Sequence, residues 1–175
     1  MEWLVQCSEK GDYLRKVPRN LCHQNSFILH PVVHLHLIDA EGNFLLQKRS
    51  RKKSIQPGKW DTAVGGHVLW GETIPDALKR ESLEEIGFFP LHYSLIKRYL
   101  WETEQEKEFV TLFCGFYSGE ELVFPPDEIE ELKFWKREEI TSQPESASQN
   151  LRYEIGSVFT AENSRQLLSL LRPMQ

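Results

Sequence analysis

Cysteine is scarce in this chain: Cys7, Cys22 and Cys114 are the only three in 175 residues, and they lie far apart. With no close-spaced pair they exclude a disulfide framework and a thiolate zinc site, and they suit a reducing cytoplasm. Long apolar runs are missing too. No apolar stretch reaches the roughly 18 residues of a membrane span. The N-terminal MEWLVQCSEKGDYLRKV scatters charges where a signal peptide would carry an apolar core. These absences predict a soluble protein with no membrane partner. Nor does either sign of charge dominate. The formal net charge of −5 is modest and spread along the chain, which argues against a nucleic-acid polymer as partner. Internal repeats and interdomain linkers are also lacking, and 40% hydrophobic content suffices for one core, so a single domain over residues 1–175 is expected. Composition leaves the oligomeric state open, a homodimer included.

What is present begins with PVVHLHLIDAEGNFLLQKRS. It predicts two strands, Val32 to Ile38 and Phe44 to Lys48, joined by the turn signal Asp39 to Asn43. Residues 50–60 are polar and punctuated by Pro57-Gly58, which predicts an exposed loop leading into a strand at Trp60 to Val64. Helical character follows from Thr73 to Ile86: Thr73 can cap the start, the first turn tolerates Pro75, and Gly87 stands where a C-terminal cap belongs. Ile74, Ala77, Leu78 and Ile86 recur at helical intervals, with Ser82 on the same side, and that side should meet a sheet. Further strands are predicted at Tyr93 to Trp101, Phe109 to Tyr117 and near 131–136. TSQPESASQN should be loop, and NSRQLLSLLRP a helix laying a leucine stripe on the sheet. Strands alternating with helices predict an α/β layered domain with a mixed sheet.

The predicted helix carries an acidic cluster. Residues three and four apart share a helix face, so Glu81, Glu84 and Glu85 converge. A cluster of that kind is commonly a solvated surface. Here Arg80 stands beside it to orient a carboxylate, and the glycine-bearing loop just before the helix supplies another acid, Glu72. Oxygen ligands alone suit magnesium or manganese far better than zinc.

The stretch GGHVLWGETIPDALKRESLEEIGF resembles the signature of the Nudix hydrolase superfamily, the MutT-like pyrophosphatases. Gly66, Glu72, Arg80, Glu81, Glu84, Glu85, Gly87 and Phe88 fill that signature, a box over residues 66–88, at the right spacing. Ser82 departs from it by occupying the aliphatic slot. The resemblance implies a Nudix fold, a mixed β-sheet sandwiched between helices (α/β/α), and Mg2+- or Mn2+-dependent hydrolysis of a diphosphate bond. The implied substrate is a nucleoside diphosphate linked to another group, or a similar small diphosphate metabolite. It implies metal ligation by Glu81, Glu84 and Glu85 with Glu72, and catalytic work by Arg80, Glu84 and Glu85. The general base varies in position across the superfamily; Glu106, Glu108 and Glu128 are the candidates, with Glu108 placed in the catalytic set.

A narrower similarity covers roughly residues 2–136. HPVVHLHLIDAEGNFLLQKRSRKKSIQPGKWDTAVGGHVLWGET is similar to the branch that includes type 1 isopentenyl-diphosphate isomerase. That enzyme holds a metal on three histidines and two glutamates, and His23, His30, His67, Glu106 and Glu108 fall where those ligands would sit. The resemblance thus implies a second divalent site. His34 and His36, which share a strand face, form a rival pair. The isomerase also needs a cysteine where this chain has Gly65, in WDTAVGGH. Without the thiol its proton transfers lose one partner, so hydrolysis leads, with an isomerase-like enzyme or a non-catalytic ligand-sensing domain as the alternatives. In a fold that takes diphosphates, the basic stretch QKRSRKKSIQPGK makes Arg49, Lys53 and Lys59 candidates for phosphate contact, and otherwise a solvated surface. Trp60, Trp70 and Trp101 are candidate stacking platforms for a base, or core.

Overall fold

The structure is a computed structural model that describes residues 2–171. Nine strands and five α-helices follow one another in these residues. Strands β1 (Trp3–Cys7) and β2 (Tyr13–Pro18) form a two-stranded antiparallel sheet, and helix α1 (Arg19–Cys22) follows. Next come β3 (His30–Ile38), β4 (Phe44–Arg49), β5 (Trp60–Thr62), β6 (Val64–His67) and helix α2 (Ile74–Ile86). After them run β7 (Tyr93–Glu102), β8 (Lys107–Phe116) and β9 (Ile129–Trp135), then α3 (Arg137–Ser142), α4 (Gln149–Tyr153) and α5 (Ala161–Leu171). A seven-stranded sheet has the order β5-β4-β3-β8-β7, with β6 on β3 and β9 on β4. The architecture is α/β: a mixed sheet with helices, as expected. None of the helices is long and apolar enough to cross a membrane, among the described residues.

The chain divides into two compact units: Met1–His34 with Gly65–Glu81 and Leu95–Phe113, and Leu35–Val64 with Ser82–Ser94 and Cys114–Gln175. In the first unit the β1–β2 hairpin was not anticipated from sequence. Its alternation is blurred, because Leu4 and Val5 are both buried while β2 is exposed over its first four positions. Leu4, Val17 and Cys22 form a small core with Ile28 and Leu69, and Cys7, Leu29 and Phe109 form another. Backbone bonds tie the hairpin down: Cys7 N–H donates to Leu29 O at 2.9 Å, and Trp70 N–H to Trp3 O at 2.9 Å.

In the second unit β4 is held on both edges, with Gln47 opposite Asp61 of β5 and opposite Leu132 of β9. The predicted hairpin is present. Leu37 faces Leu45 and Ile38 faces Phe44, and the Asp39 carboxylate accepts the Glu41 and Asn43 amides to close the turn. Three sequence expectations need correction. Trp60 to Val64 is not one strand, since β5 ends at Thr62 and β6 begins at Val64. TSQPESASQN is not loop: it holds the end of α3, a 3-10 turn at Pro144–Ser146 and the start of α4. Ser148 caps α4, its hydroxyl accepting the Leu151 N–H at 3.1 Å, which polarity alone does not reveal. The leucine stripe of α5 is largely unburied, with Leu170 79% exposed and Leu171 buried. Residues 172 and 173 of that prediction lie outside the described residues. Cys7, Cys22 and Cys114 are all free and buried.

Candidate active site and metal centre

Helix α2 forms where the capping signals placed it. The Thr73 hydroxyl accepts the Asp76 N–H at 3.3 Å while the Asp76 carboxylate accepts the Thr73 N–H at 3.2 Å, a reciprocal start. Gly87 ends it with φ +84, a left-handed conformation that glycine adopts at no steric cost. Ala77, Leu78, Ser82 and Ile86 are fully buried, so the buried face is the predicted one, with serine in the aliphatic slot. The remaining faces carry the acids. Glu84 is exposed, Glu81 partly buried, and Glu85 buried.

Arg80 organises the start of this surface. Its Nε donates to Glu72 Oε1 at 2.7 Å and its Nη2 to Glu72 Oε2 at 2.9 Å, a bidentate pair. Nη1 donates to Glu81 Oε1 at 2.7 Å, and Nη2 also reaches the main-chain carbonyl of His67 at 2.9 Å. Glu72 further accepts the Leu69 N–H at 3.0 Å. The Arg80 hydrogen bond holds the Glu72 carboxyl below the usual carboxylate range, and the Glu72 carboxylate in turn pushes Arg80 up. Both stay charged at neutral pH. Above Glu81 the backbone makes room: a Cβ on Gly66 would lie 2.0 Å from the Glu81 carboxyl carbon. Glycine there leaves the carboxylate its place.

In the second unit, the Gln47 side chain of β4 donates to Glu85 Oε2 at 3.0 Å and to Ala63 O at 3.3 Å. Sequence reasoning missed this residue. Its one signal is a glutamine placed directly after the apolar FLL run.

A second cluster gathers in the first unit. His23 follows α1, His30 opens β3 and His67 closes β6, and their ring centroids lie 4.9 to 5.6 Å apart. His30 Nδ1 is 2.8 Å from Ile28 O, so it carries the proton and donates, which turns Nε2 into an acceptor. His23 Nδ1 meets a Glu106 carboxylate oxygen. The Nε2 atoms of all three histidines are buried and have no hydrogen-bond partner. Ligand atoms of His23, His30 and His67 fall within 4.8 Å of one another, as do those of His30, Glu106 and Glu108. Burial, reinforced for His67 by the neighbouring positive groups, lowers His30 and sets His67 well below an ordinary histidine. Orphaned imidazole Nε2 atoms, with His30 and His67 kept neutral by burial, and adjoining carboxylates are the donor set a divalent metal takes.

His36, of the rival pair, is committed elsewhere. Its Nε2 lies 2.6 Å from Glu154 Oε2 with both side chains fully buried, and its ring packs on Phe44 and Phe159.

The basic loop is matched by acids that sequence reading did not connect to it. Lys53 Nζ donates to Glu128 at 2.8 Å, Lys52 to Asp127 at 2.6 Å, and Lys59 donates to the Glu145 carbonyl. Arg49 donates to Asp61 at 3.1 Å and to Ile55 O at 3.2 Å, and Asp61 also accepts the Ser148 hydroxyl at 2.8 Å. Trp60 packs edge-on against Trp135 with centroids 5.1 Å apart. Among the other tryptophans, Trp70 is 49% exposed.

Known proteins resemble this chain over most of its length. An uncharacterised Nudix hydrolase of Yersinia pestis is 27% identical over 143 residues, which is 82% of this chain and 78% of that protein. An isopentenyl-diphosphate Delta-isomerase of Serratia proteamaculans is 26% identical over 154 residues, 85% of this chain and 83% of that one. The crystal structure of a Deinococcus radiodurans protein superposes with a TM-score of 0.79 at 21% identity, covering 91% of this chain and all of that one, and so shares the fold. Residues 28–155 match the NUDIX domain family, a span that contains the whole Arg80-centred glutamate set, and the chain belongs to the Nudix family of hydrolases.

Proposed function

We propose that this protein hydrolyses a diphosphate bond in a small metabolite, a nucleoside diphosphate linked to another group, using Mg2+ or Mn2+ held by Glu81, Glu84 and Glu85. The observation that carries the reading is the fixed Glu81 carboxylate: it occupies the place a Cβ on Gly66 would take, and Arg80 orients it. A divalent cation there supplies neutralisation of charge developing on the phosphoryl oxygens and a more acidic bound water. Glu72 has its oxygens on Arg80 and the Leu69 amide, so it acts by fixing Arg80. Arg80 then keeps Glu81 in place. Glu108 stays in the catalytic set by the family resemblance; of the other candidate bases, Glu106 is engaged with His23 and Glu128 is paired to Lys53.

Lys53 reaches a substrate phosphate by exchanging Glu128 for it, which costs about 1 kcal/mol or less for a pair this exposed. Lys59 gives up a carbonyl, an equally small loss. Arg49 sits in a bonded network with Asp61 and Ser148 and serves the loop's shape first. Trp60 offers a substrate base only the faces that Trp135 does not cover. The free cysteines fit a reducing cytoplasm.

The test is a panel of nucleoside diphosphate conjugates, dinucleotides and isoprenoid diphosphates incubated with Mg2+, scored for phosphate-containing products and for isomer exchange. Hydrolysis of at least one diphosphate is expected. Isomer exchange alone would restore the isomerase, which Gly65 disfavours, and inert binding would make the domain a sensor.

A second divalent cation belongs at His23, His30 and His67 with Glu106 and Glu108; the three orphaned Nε2 atoms support it. Metal analysis of protein equilibrated with Mn2+ or Zn2+ is expected to find one ion that His67→Ala loses. A histidine cluster still metal-free at saturation would remove this site.

A further inference from the structure

Gln47 is 3% exposed in the middle of β4, directly after three buried apolar residues. A buried amide in such a run needs partners, and this one has two. Its nitrogen donates to Glu85 Oε2 at 3.0 Å and to Ala63 O at 3.3 Å. The orientation of the amide is unambiguous, because a main-chain carbonyl can only accept and the opposite flip would set two acceptors face to face.

The residue is also rigidly held. Its backbone pairs with Asp61 on one side and Leu132 on the other, so the amide is presented from a strand bonded along both edges. Ala63, its second acceptor, sits at the break between β5 and β6. One side chain thus spans from β4 to the helix glutamate and to the strand break.

The chemistry of the donor matters as much as its place. Glu81 is oriented by a cation, Arg80, whereas Glu85 is oriented by a neutral amide. A cation at position 47 would also donate a hydrogen bond, but its charge would compete with a divalent ion for the same carboxylate. A neutral donor fixes Oε2 without bringing a positive charge of its own to the carboxylate.

We propose that Gln47 is the positioning residue of the metal-binding helix, fixing the Glu85 carboxylate and thereby setting the affinity of the glutamate site for Mg2+. This rests on the reading that Glu81, Glu84 and Glu85 hold that ion. It acts through Glu85 and does not touch substrate.

The experiment is calorimetric titration of the full chain with Mg2+, an ion that prefers oxygen ligands to imidazole and so reports the glutamates. It is run on the parent, Gln47→Met, Gln47→Lys and Glu85→Gln, each checked for fold by circular dichroism. Gln47→Met keeps length and burial but removes the donor, and is expected to weaken Mg2+ about 10- to 100-fold. Gln47→Lys keeps a donor and adds charge, and is expected to weaken it at least as much; it also serves if Gln47→Met fails to fold. In turnover assays the half-activating Mg2+ concentration should rise by the same factor, with kcat returning to within a few-fold at high Mg2+. A purely structural residue would lower kcat without that rescue. Parent-like Mg2+ affinity in a folded Gln47 variant, with Glu85→Gln weakened, overturns the positioning role and leaves the metal site standing. Parent-like affinity in Glu85→Gln overturns both.

Discussion

Glu84→Gln and Glu85→Gln are each expected to lower turnover by about 100- to 1,000-fold, the scale on which removing one preorganised electrostatic group acts. Each change preserves shape and removes one negative charge from the face of α2 where the cation is to bind. The two positions differ in surroundings, and the difference predicts an order. Glu84 is exposed, so its glutamine can turn a carbonyl oxygen toward the metal and keep a weak ligand. Glu85 is buried with Oε2 against the Gln47 amide. A glutamine there must aim its own carbonyl at Gln47 to keep that bond, which turns its NH2 group to where the second carboxylate oxygen stood. A donor facing a cation is repulsive, so Glu85→Gln is expected to be the more damaging of the two. Melting temperatures should stay within about 2 °C for Glu84→Gln, as for most exposed substitutions. Steady-state kinetics at several Mg2+ concentrations checks both claims. Full activity in both variants would sink the assignment of these glutamates to the metal.

That much of the site was legible because its code is local. Helical periodicity puts Glu81, Glu84 and Glu85 on neighbouring positions whatever the rest of the chain does, and Thr73 and Gly87 mark the ends of their helix by backbone chemistry. The hairpin of β3 and β4 is local in the same sense. The histidines were found by resemblance, and the structure brings His23, His30 and His67 together from three elements.

What escaped the sequence is what depends on distant partners. The basic loop at 50–60 looks like an anion site until the acids at Asp127, Glu128 and Glu130 are found beside it, and nothing in either segment announces the other. Gln47 reads as one polar residue in a strand, and only the tertiary fold shows that its amide meets a helix glutamate 38 positions away. The strand β2 was invisible for a different reason: its exposed residues carry little of the alternation that marks a half-buried strand. In TSQPESASQN, Ser148, which weighs as a loop-former in composition, is a helix cap in place.

The glycine before His67 offers the sharpest separation of stability from chemistry. In Gly66→Ala the new methyl would lie 2.0 Å from the Glu81 carboxyl carbon and 2.2 and 2.4 Å from its two oxygens, distances no real contact tolerates. Something must move, and the cheap mover is the carboxylate, the far end of a flexible side chain. The backbone of β6 therefore stays, and Arg80 keeps Glu72 and the His67 carbonyl when it loses Glu81. The cost to folding is one charge-assisted hydrogen bond, about 1.5–3 kcal/mol at most, which a domain of this size absorbs as a fall of several degrees in melting temperature. The cost to catalysis is the position of a proposed metal ligand. Because a misplacement of about 1 Å in a catalytic constellation can cost on the order of 100-fold, Gly66→Ala is expected to lose at least that much in turnover while remaining folded. Mg2+ affinity should fall with it, since the displaced oxygens are among those proposed to hold the cation. A Gly66→Ala protein with parent turnover and parent Mg2+ affinity would mean that Glu81 does its work from some other position, and that the space above it serves packing alone.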